Sequence, residues 1–270
     1  MSQQSEASPS PQSQEVGSHN NSSPVVVVLI ACLLVTIALI VGAGVWIFVL
    51  SDGRWKTTKL SDEFNGQASL DWEIRFPDEP DDSHISYETN EGALTLTTQK
   101  GSLYEDTDTD PPNVFLLKHP VQEKGEHAVA MTIHVREFNM SEVHHHISIL
   151  FFNNKNSYLR GRFGFTSGVS STSPAFTVNL EQGGNAKTLD KKLWEDDYSG
   201  EFYLRLSRSA EKTYSLSYSR DGKDFEVMCE GEWDHGPTDY VGFVASNGNS
   251  NASPDVDIVI ESFEIECKDR

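Results

Sequence analysis

Three groups of residues in this 270-residue chain have types and spacings that could do chemistry. Carboxylates form the first group. Asp255, Asp257 and Glu261 run as Asp-Val-Asp-Ile-Val-Ile-Glu, and carboxylates with separated pKa values are what acid/base hydrolysis of a glycosidic bond requires. Charged side chains strongly prefer water, so the competing reading is a solvated strand face. Glu105, Asp106, Asp108 and Asp110 sit in a Pro-bounded stretch that reads as a loop. Histidines are the second group: His144, His145 and His146 precede an apolar run, and His134 lies one segment earlier. On a strand His144 and His146 share a face, but zinc wants at least three ligands with a fixed surrounding shell, and no ligand spacing is present. The third group pairs aromatic with cationic residues. Tyr158, Arg160 and Arg162 alternate onto one strand face, and Trp194 stands in a loop segment. Aromatic rings stack on sugar rings while arginine bonds sugar hydroxyls, so these four are the candidate carbohydrate-binding residues. The alternative is that Tyr158 packs against a neighbouring strand and the arginines balance an acidic surface.

The elements that must position these groups are strands. Phe202, Leu204 and Leu206 alternate with Tyr203, Arg205 and Ser207, the period of two that marks a half-buried strand. Tyr214, Leu216 and Tyr218 repeat the pattern, and Asp221-Gly222 supplies a hairpin signal because glycine accepts positive φ. Residues 201–228 therefore read as three strands and two turns. Val129, Met131, Ile133 and Val135 form one face of another strand, opposite Ala130, Thr132, His134 and Arg136. Near the C-terminus Val256, Ile258 and Ile260 share a parity that Phe263 and Ile265 do not, which predicts a bulge or bend at Glu261–Ser262. Thr188–Tyr198 suits a helical turn or a loop. A dozen or more short strands in about 210 residues imply an all-β fold of two packed antiparallel sheets. No internal repeat points to a propeller.

Composition divides the chain further. Residues 1–24 are rich in Ser, Gln, Pro and Asn, with no aromatic and only Glu6 and Glu15 as charges, the signature of a disordered tail. Residues 25–50 are 26 in number and carry no charge. As a helix they reach about 39 Å, enough to cross a hydrocarbon core of about 30 Å, so the lipid bilayer is an expected partner. A linker over 51–57 and a β-sandwich domain over 58–270 follow. The net charge is −20, and −18 remains without Glu6 and Glu15. Such a field repels nucleic acid. Cys229 and Cys267 read either as a disulfide or as two independent thiols. The oligomeric state is not legible.

Leu60-Ser61-Asp62-Glu63-Phe64-Asn65 with Trp72, Glu91-Gly92-Ala93-Leu94-Thr95-Leu96, Tyr203-Leu204-Arg205-Leu206 with Arg208, Tyr218-Ser219-Arg220-Asp221-Gly222 with Phe225, Val241-Gly242-Phe243-Val244-Ala245-Ser246 and Ser262-Phe263-Glu264-Ile265 occur in that order. This ordered set resembles the concanavalin-A-like jelly roll, in particular the C-terminal domain of glycoside-hydrolase family 43 β-xylosidases, and spans nearly all of residues 60–266. The resemblance implies a two-sheet antiparallel jelly-roll sandwich that faces glycans. In that family the carboxylates that cleave sit on a separate propeller, which this chain lacks. In retaining relatives on jelly rolls they follow Glu-x-Asp-x-x-Glu, from which Asp255, Asp257 and Glu261 depart in first residue and spacing. The resemblance also implies a structural calcium ion near the chain ends, for which Asp62, Asp255 and Asp257 offer hard oxygen donors. No cofactor is required.

Two signals disagree on sidedness. Arg54, Lys56 and Lys59 follow the apolar run, and basic flanks favour the cytoplasm. The glycan-facing resemblance and the acceptor triplets Asn139-Met140-Ser141 and Asn251-Ala252-Ser253 favour the outside. The reading carried forward is a single-pass membrane protein that displays a non-catalytic sandwich extracytoplasmically to bind glycan or polysaccharide. A protein-docking module and a polysaccharide-cleaving enzyme are the alternatives.

Overall fold

In this computed structural model the chain divides into Met1–Arg54 and Trp55–Arg270. The structure describes residues 56–269 except 76–81, 104–110, 122–126, 141–143, 167–169, 197–199, 235–237 and 249–253. The expected tail, the apolar run 25–50 and the acidic stretch from Glu105 to Asp110 lie outside the described residues. Among the described residues no helix is long and apolar enough to cross a membrane.

The first strands are β1 (Lys56–Asp62), β2 (Glu73–Arg75), β3 (Ile85–Ser86), β4 (Leu94–Thr97) and β5 (Val114–Lys118). Next come β6 (His127–Phe138), β7 (His146–Asn154), β8 (Ser157–Thr166), β9 (Ser170–Gln182) and β10 (Asn185–Leu193). The chain closes with β11 (Phe202–Arg208), β12 (Thr213–Ser219), β13 (Glu226–Glu232), β14 (Tyr240–Ser246) and β15 (Asp257–Asp269). The first strand opens inside the expected linker, at Lys56. Thr188–Leu193, read as a helical turn or loop, is instead part of β10, which pairs with β9 through a register shift between Thr188 and Asp190.

These strands form two antiparallel sheets. An eight-stranded sheet runs β13-β12-β11-β6-β15-β4-β3, with β1 added along the second half of β15. A seven-stranded sheet runs β10-β9-β8-β7-β14-β5-β2. The expected all-β sandwich is therefore the observed architecture. On β15 Ile258 and Ile260 point into the core, and so do Phe263, Ile265 and Cys267. Register shifts at Val259/Ile260 and Ile260/Ser262 absorb the change of parity where the sequence required it. The hairpin after β12 also forms, with Gly222 at φ 70°. A Cβ on Gly222 would come within 2.9 Å of the Tyr203 ring, so glycine serves both the turn and a close approach.

Between the sheets Trp72, Phe115, Phe243 and Phe263 meet with ring centroids 5.0 to 5.8 Å apart. Such pairs add roughly 0.5–1.5 kcal/mol each beyond the area they bury. The jelly-roll opening motif acquires a physical reason here. Asp62 is fully buried and accepts hydrogen bonds from Phe64 N, Ser69 N, Leu70 N and Trp72 Nε1 at 3.0, 2.9, 3.0 and 2.8 Å. Burial alone would raise its pKa. The bonds from Trp72, Leu70, Phe64 and Ser69 outweigh that and hold it below the usual carboxylate range.

Candidate functional site

The two sheets present very different outer faces. On the seven-stranded sheet the register lines up Phe152 with Tyr158 and Tyr158 with Glu181, Leu150 with Arg160 and Arg160 with Asn179, and Ser148 with Arg162 and Arg162 with Thr177. Tyr158, Arg160 and Arg162 thus share the face that alternation assigned to them. Tyr158 and Arg160 are nevertheless buried, at 2% and 1% exposure, and Arg162 is half-buried. Tyr158 lies against Phe152 with centroids 6.4 Å apart, and its hydroxyl donates to the Leu103 carbonyl. Its ring belongs to a second apolar cluster with Leu103, Val114, Leu116, Leu150, Phe152 and Val244, so it offers no open face to a sugar. Beside that cluster lies a buried polar patch. Arg162 Nε donates to Thr177 Oγ1 at 2.5 Å and Asn179 Nδ2 to Thr188 Oγ1 at 2.9 Å. Ser148 Oγ and Asn179 Oδ1 are buried with no hydrogen-bond partner.

Trp194 is not on that face. Its ring sits 5.6 Å from Phe176 and 4.8 Å from Tyr218, on the inter-sheet core. The histidines also separate. His146 opens β7 on the seven-stranded sheet, with its Nδ1 donating to the His144 carbonyl at 2.7 Å and its Nε2 accepting from Ser246 Oγ at 3.0 Å. His134 lies on the other sheet, 2.7 Å from Glu201 Oε1 and stacked on Tyr203 at 4.0 Å. Burial, reinforced by the charge of Arg162, pushes the His146 pKa well down and that of His144 down.

Topology sets apart the residues of the calcium and disulfide expectations. Asp62 pairs with Phe263 on β15, whereas Asp257 pairs with Thr97 six residues earlier on that strand, a separation of about 20 Å at strand rise. Asp62 is saturated by N–H donors, Asp255 accepts from Asn247 Nδ2 at 2.8 Å, and Asp257 accepts from Thr97 Oγ1 at 2.6 Å. Among the described residues no group of three acidic, His or Cys side chains could hold a metal. Cys229 and Cys267 are free and buried. They lie on β13 and β15, with three strands between, about 19 Å apart at sheet spacing and far beyond the roughly 6 Å that a disulfide spans. Burial raises both thiol pKa values to about 12. Another buried polar pair caps one end of the core. His119 and His127 have ring centroids 5.7 Å apart, His119 Nδ1 accepts from Val121 N at 3.2 Å, and burial pushes His119 down to about 4.

The outer face of the eight-stranded sheet is open. Ala130 and Thr132 on β6 are short, while Arg205 on β11, Glu264, Glu266 and Lys268 on β15 and Lys59 on β1 stand tall beside them. The result is a groove of about 540 Å³ across four strands. Glu266 is held by Lys59 at 3.0 Å and Lys268 at 3.2 Å, and those bonds lower its pKa. The guanidinium of Arg205 lies 3.6 Å from the centre of the Phe225 ring, and its Nε donates to Thr132 Oγ1 at 2.9 Å. Sequence reading passed over this site because each member looked like an ordinary solvated residue. The available signal was size contrast: Ala130 and Thr132 on β6 and Ser207 on β11 sit at outward positions of paired strands, leaving a low floor.

The two-sheet sandwich is similar in fold to solved glycoside-hydrolase family 43 structures. One is the GH43 BlXynB protein from Bacillus licheniformis, with TM-score 0.61 and 21% identity over 76% of this chain and 38% of that one. Another is xylan β-1,4-xylosidase from Bacillus halodurans C-125, with TM-score 0.56 and 15% identity over 76% and 38%. The CBM2 module of the evolved Dit protein of Lactobacillus casei BL23 phage J-1 matches with TM-score 0.58 and 12% identity over 80% of this chain and 98% of the module. The chain spans 38% of the length of the two GH43 structures. No protein-family model and no curated protein matches its sequence.

Proposed function

We propose that this protein is a single-pass membrane-anchored, non-catalytic β-sandwich that binds glycan through the outer face of its eight-stranded sheet, outside the cell. The observation that carries the reading is the open groove, whose low floor of Ala130 and Thr132 and polar walls from Arg205 and Glu264 suit a hydroxyl-rich chain. Fold likeness to GH43 structures and to a CBM2 module supports a carbohydrate ligand. The non-catalytic part of the reading is supported by Asp255 and Asp257, whose carboxylates are engaged by Asn247 and Thr97. Anchoring rests on the uncharged residues 25–50.

A glycan array probed with the full chain in detergent tests the binding. Retention of one polysaccharide class, weakened by Thr132→Trp on the groove floor and unaffected by Asp257→Asn, is the expected result. Retention of no glycan sinks the reading, and sugar release that disappears in Asp257→Asn replaces it with an enzyme.

A further inference from the structure

Resting on that glycan reading, we infer that the groove is built for an acidic glycan, with the Arg205 guanidinium receiving a carboxylate of the sugar chain. The first observation is charge. In a chain of net charge −20, this groove gathers three cations, Lys59, Arg205 and Lys268, against two carboxylates, Glu264 and Glu266. Glu266 is occupied by both lysines. The groove is therefore a locally cationic spot on an acidic protein, where an anionic group meets more cations than carboxylates at close range.

The second observation is how Arg205 is held. Phe225 stacks on its plane and Thr132 fixes its Nε. The stack is possible because Arg205 is paired with Ser217, whose short side chain leaves room for Phe225 to reach across. Glu264 and Glu266 act on Arg205 at a distance, but neither makes an ion pair with it among the described residues. The Arg205 guanidinium thus lines the groove, held on Phe225 and Thr132, with no ion pair to a protein carboxylate among the described residues. A planar fork oriented in advance binds a planar carboxylate in two parallel hydrogen bonds and loses little side-chain freedom in doing so. A neutral sugar gains nothing comparable from the same fork.

Calorimetric titration of the full chain in detergent with two linear hexasaccharides, an oligogalacturonate and a neutral xylohexaose, tests the inference. The oligogalacturonate is expected to bind at least about tenfold more tightly, in the range of a charge-assisted bidentate pair, and its affinity is expected to fall as salt rises. Arg205→Gln should remove that advantage, bringing the ratio of the two affinities to about one. Arg205→Lys should recover only part of it, because the charge remains while the fork is lost. Lys187→Gln, on β10 of the other sheet, controls for charge change alone and should leave both affinities unchanged. Equal binding of the two sugars, or acid preference that survives Arg205→Gln, overturns the inference while the glycan reading stands. Binding of neither sugar overturns the inference, and a blank glycan array overturns the glycan reading with it.

Discussion

The two outer faces of the sandwich are made from strands of the same kind, yet one is a second core and the other is an open groove. On β11, and on β6 from His127 to Ile133, burial alternates residue by residue, the mark of a sheet with one face in solvent. On β7 and β14 nearly every residue is buried on both sides, from His146 to Phe152 and from Val241 to Ser246. The difference teaches where function can reside. Tyr158 and Arg160 have the composition of a sugar site but lie inside the molecule, whereas Thr132, Arg205 and Glu264 have ordinary surface composition and line the accessible groove.

The largest expected effect tests whether the outer face of the seven-stranded sheet is truly a core. Phe152→Ala should cost about 3–5 kcal/mol in urea unfolding, as a main-core phenylalanine does. A loss under about 1 kcal/mol would mean that this face is open and that the contrast with the other sheet fails. Asp62→Ala comes next, because four N–H donors lose their acceptor and Trp72 loses its tether. About 3 kcal/mol is expected, within the range for leaving buried donors unsatisfied, and a cost near zero would remove Asp62 from its place at the centre of the opening motif.

Acid should loosen the end of the core near His119. Its pKa in the folded chain is about 4, below the ordinary value of about 6.5. The unfolded chain therefore binds more protons between those values, and stability rises with pH across that window. The contribution is complete above about pH 6.5, is withdrawn as pH falls to about 4, and amounts to about 3 kcal/mol. Urea midpoints at pH 7 and pH 4.5 should differ less in His119→Gln than in the parent chain, and identical differences would refute the assignment. The smallest effects come from matched serines on the two faces. Ser207→Ala in the open face should change stability by no more than about 0.5 kcal/mol. Ser148→Ala in the covered face should be neutral or stabilising, since its hydroxyl is buried without a partner; a clear loss there would reveal a bond that the buried patch depends on.

Much of the fold was legible because alternation is local. The strict period of two on β6 and β11, the parity slip before Phe263 and the Asp-Gly turn each needed only a few residues of context. β10 was missed because Lys187, Thr188, Asp190, Lys191 and Lys192 are mostly exposed on an edge strand and carry no apolar period. The site was less legible because burial of a sheet's second face depends on chain segments far away in sequence. Nothing in Ser-Tyr-Leu-Arg-Gly-Arg says that Leu103 covers Tyr158. The run Ile-Leu-Phe-Phe, four apolar residues without alternation, was the available hint that β7 is covered on both sides. The spread of the expected calcium ligands was hidden for a related reason. Asp62 and Asp257 touch the same strand, β15, but at positions six residues apart, and only the register reveals that distance.

The most direct test of the central claim is amide protection mapped by hydrogen exchange on the full chain, with and without a saturating glycan ligand. The account predicts that protection rises on β6, β11 and β15 around Thr132, Arg205 and Glu264, while β7, β8 and β9 stay unchanged. Protection confined to the segment around Arg162 and Asn179, with the eight-stranded sheet unaffected, would contradict it.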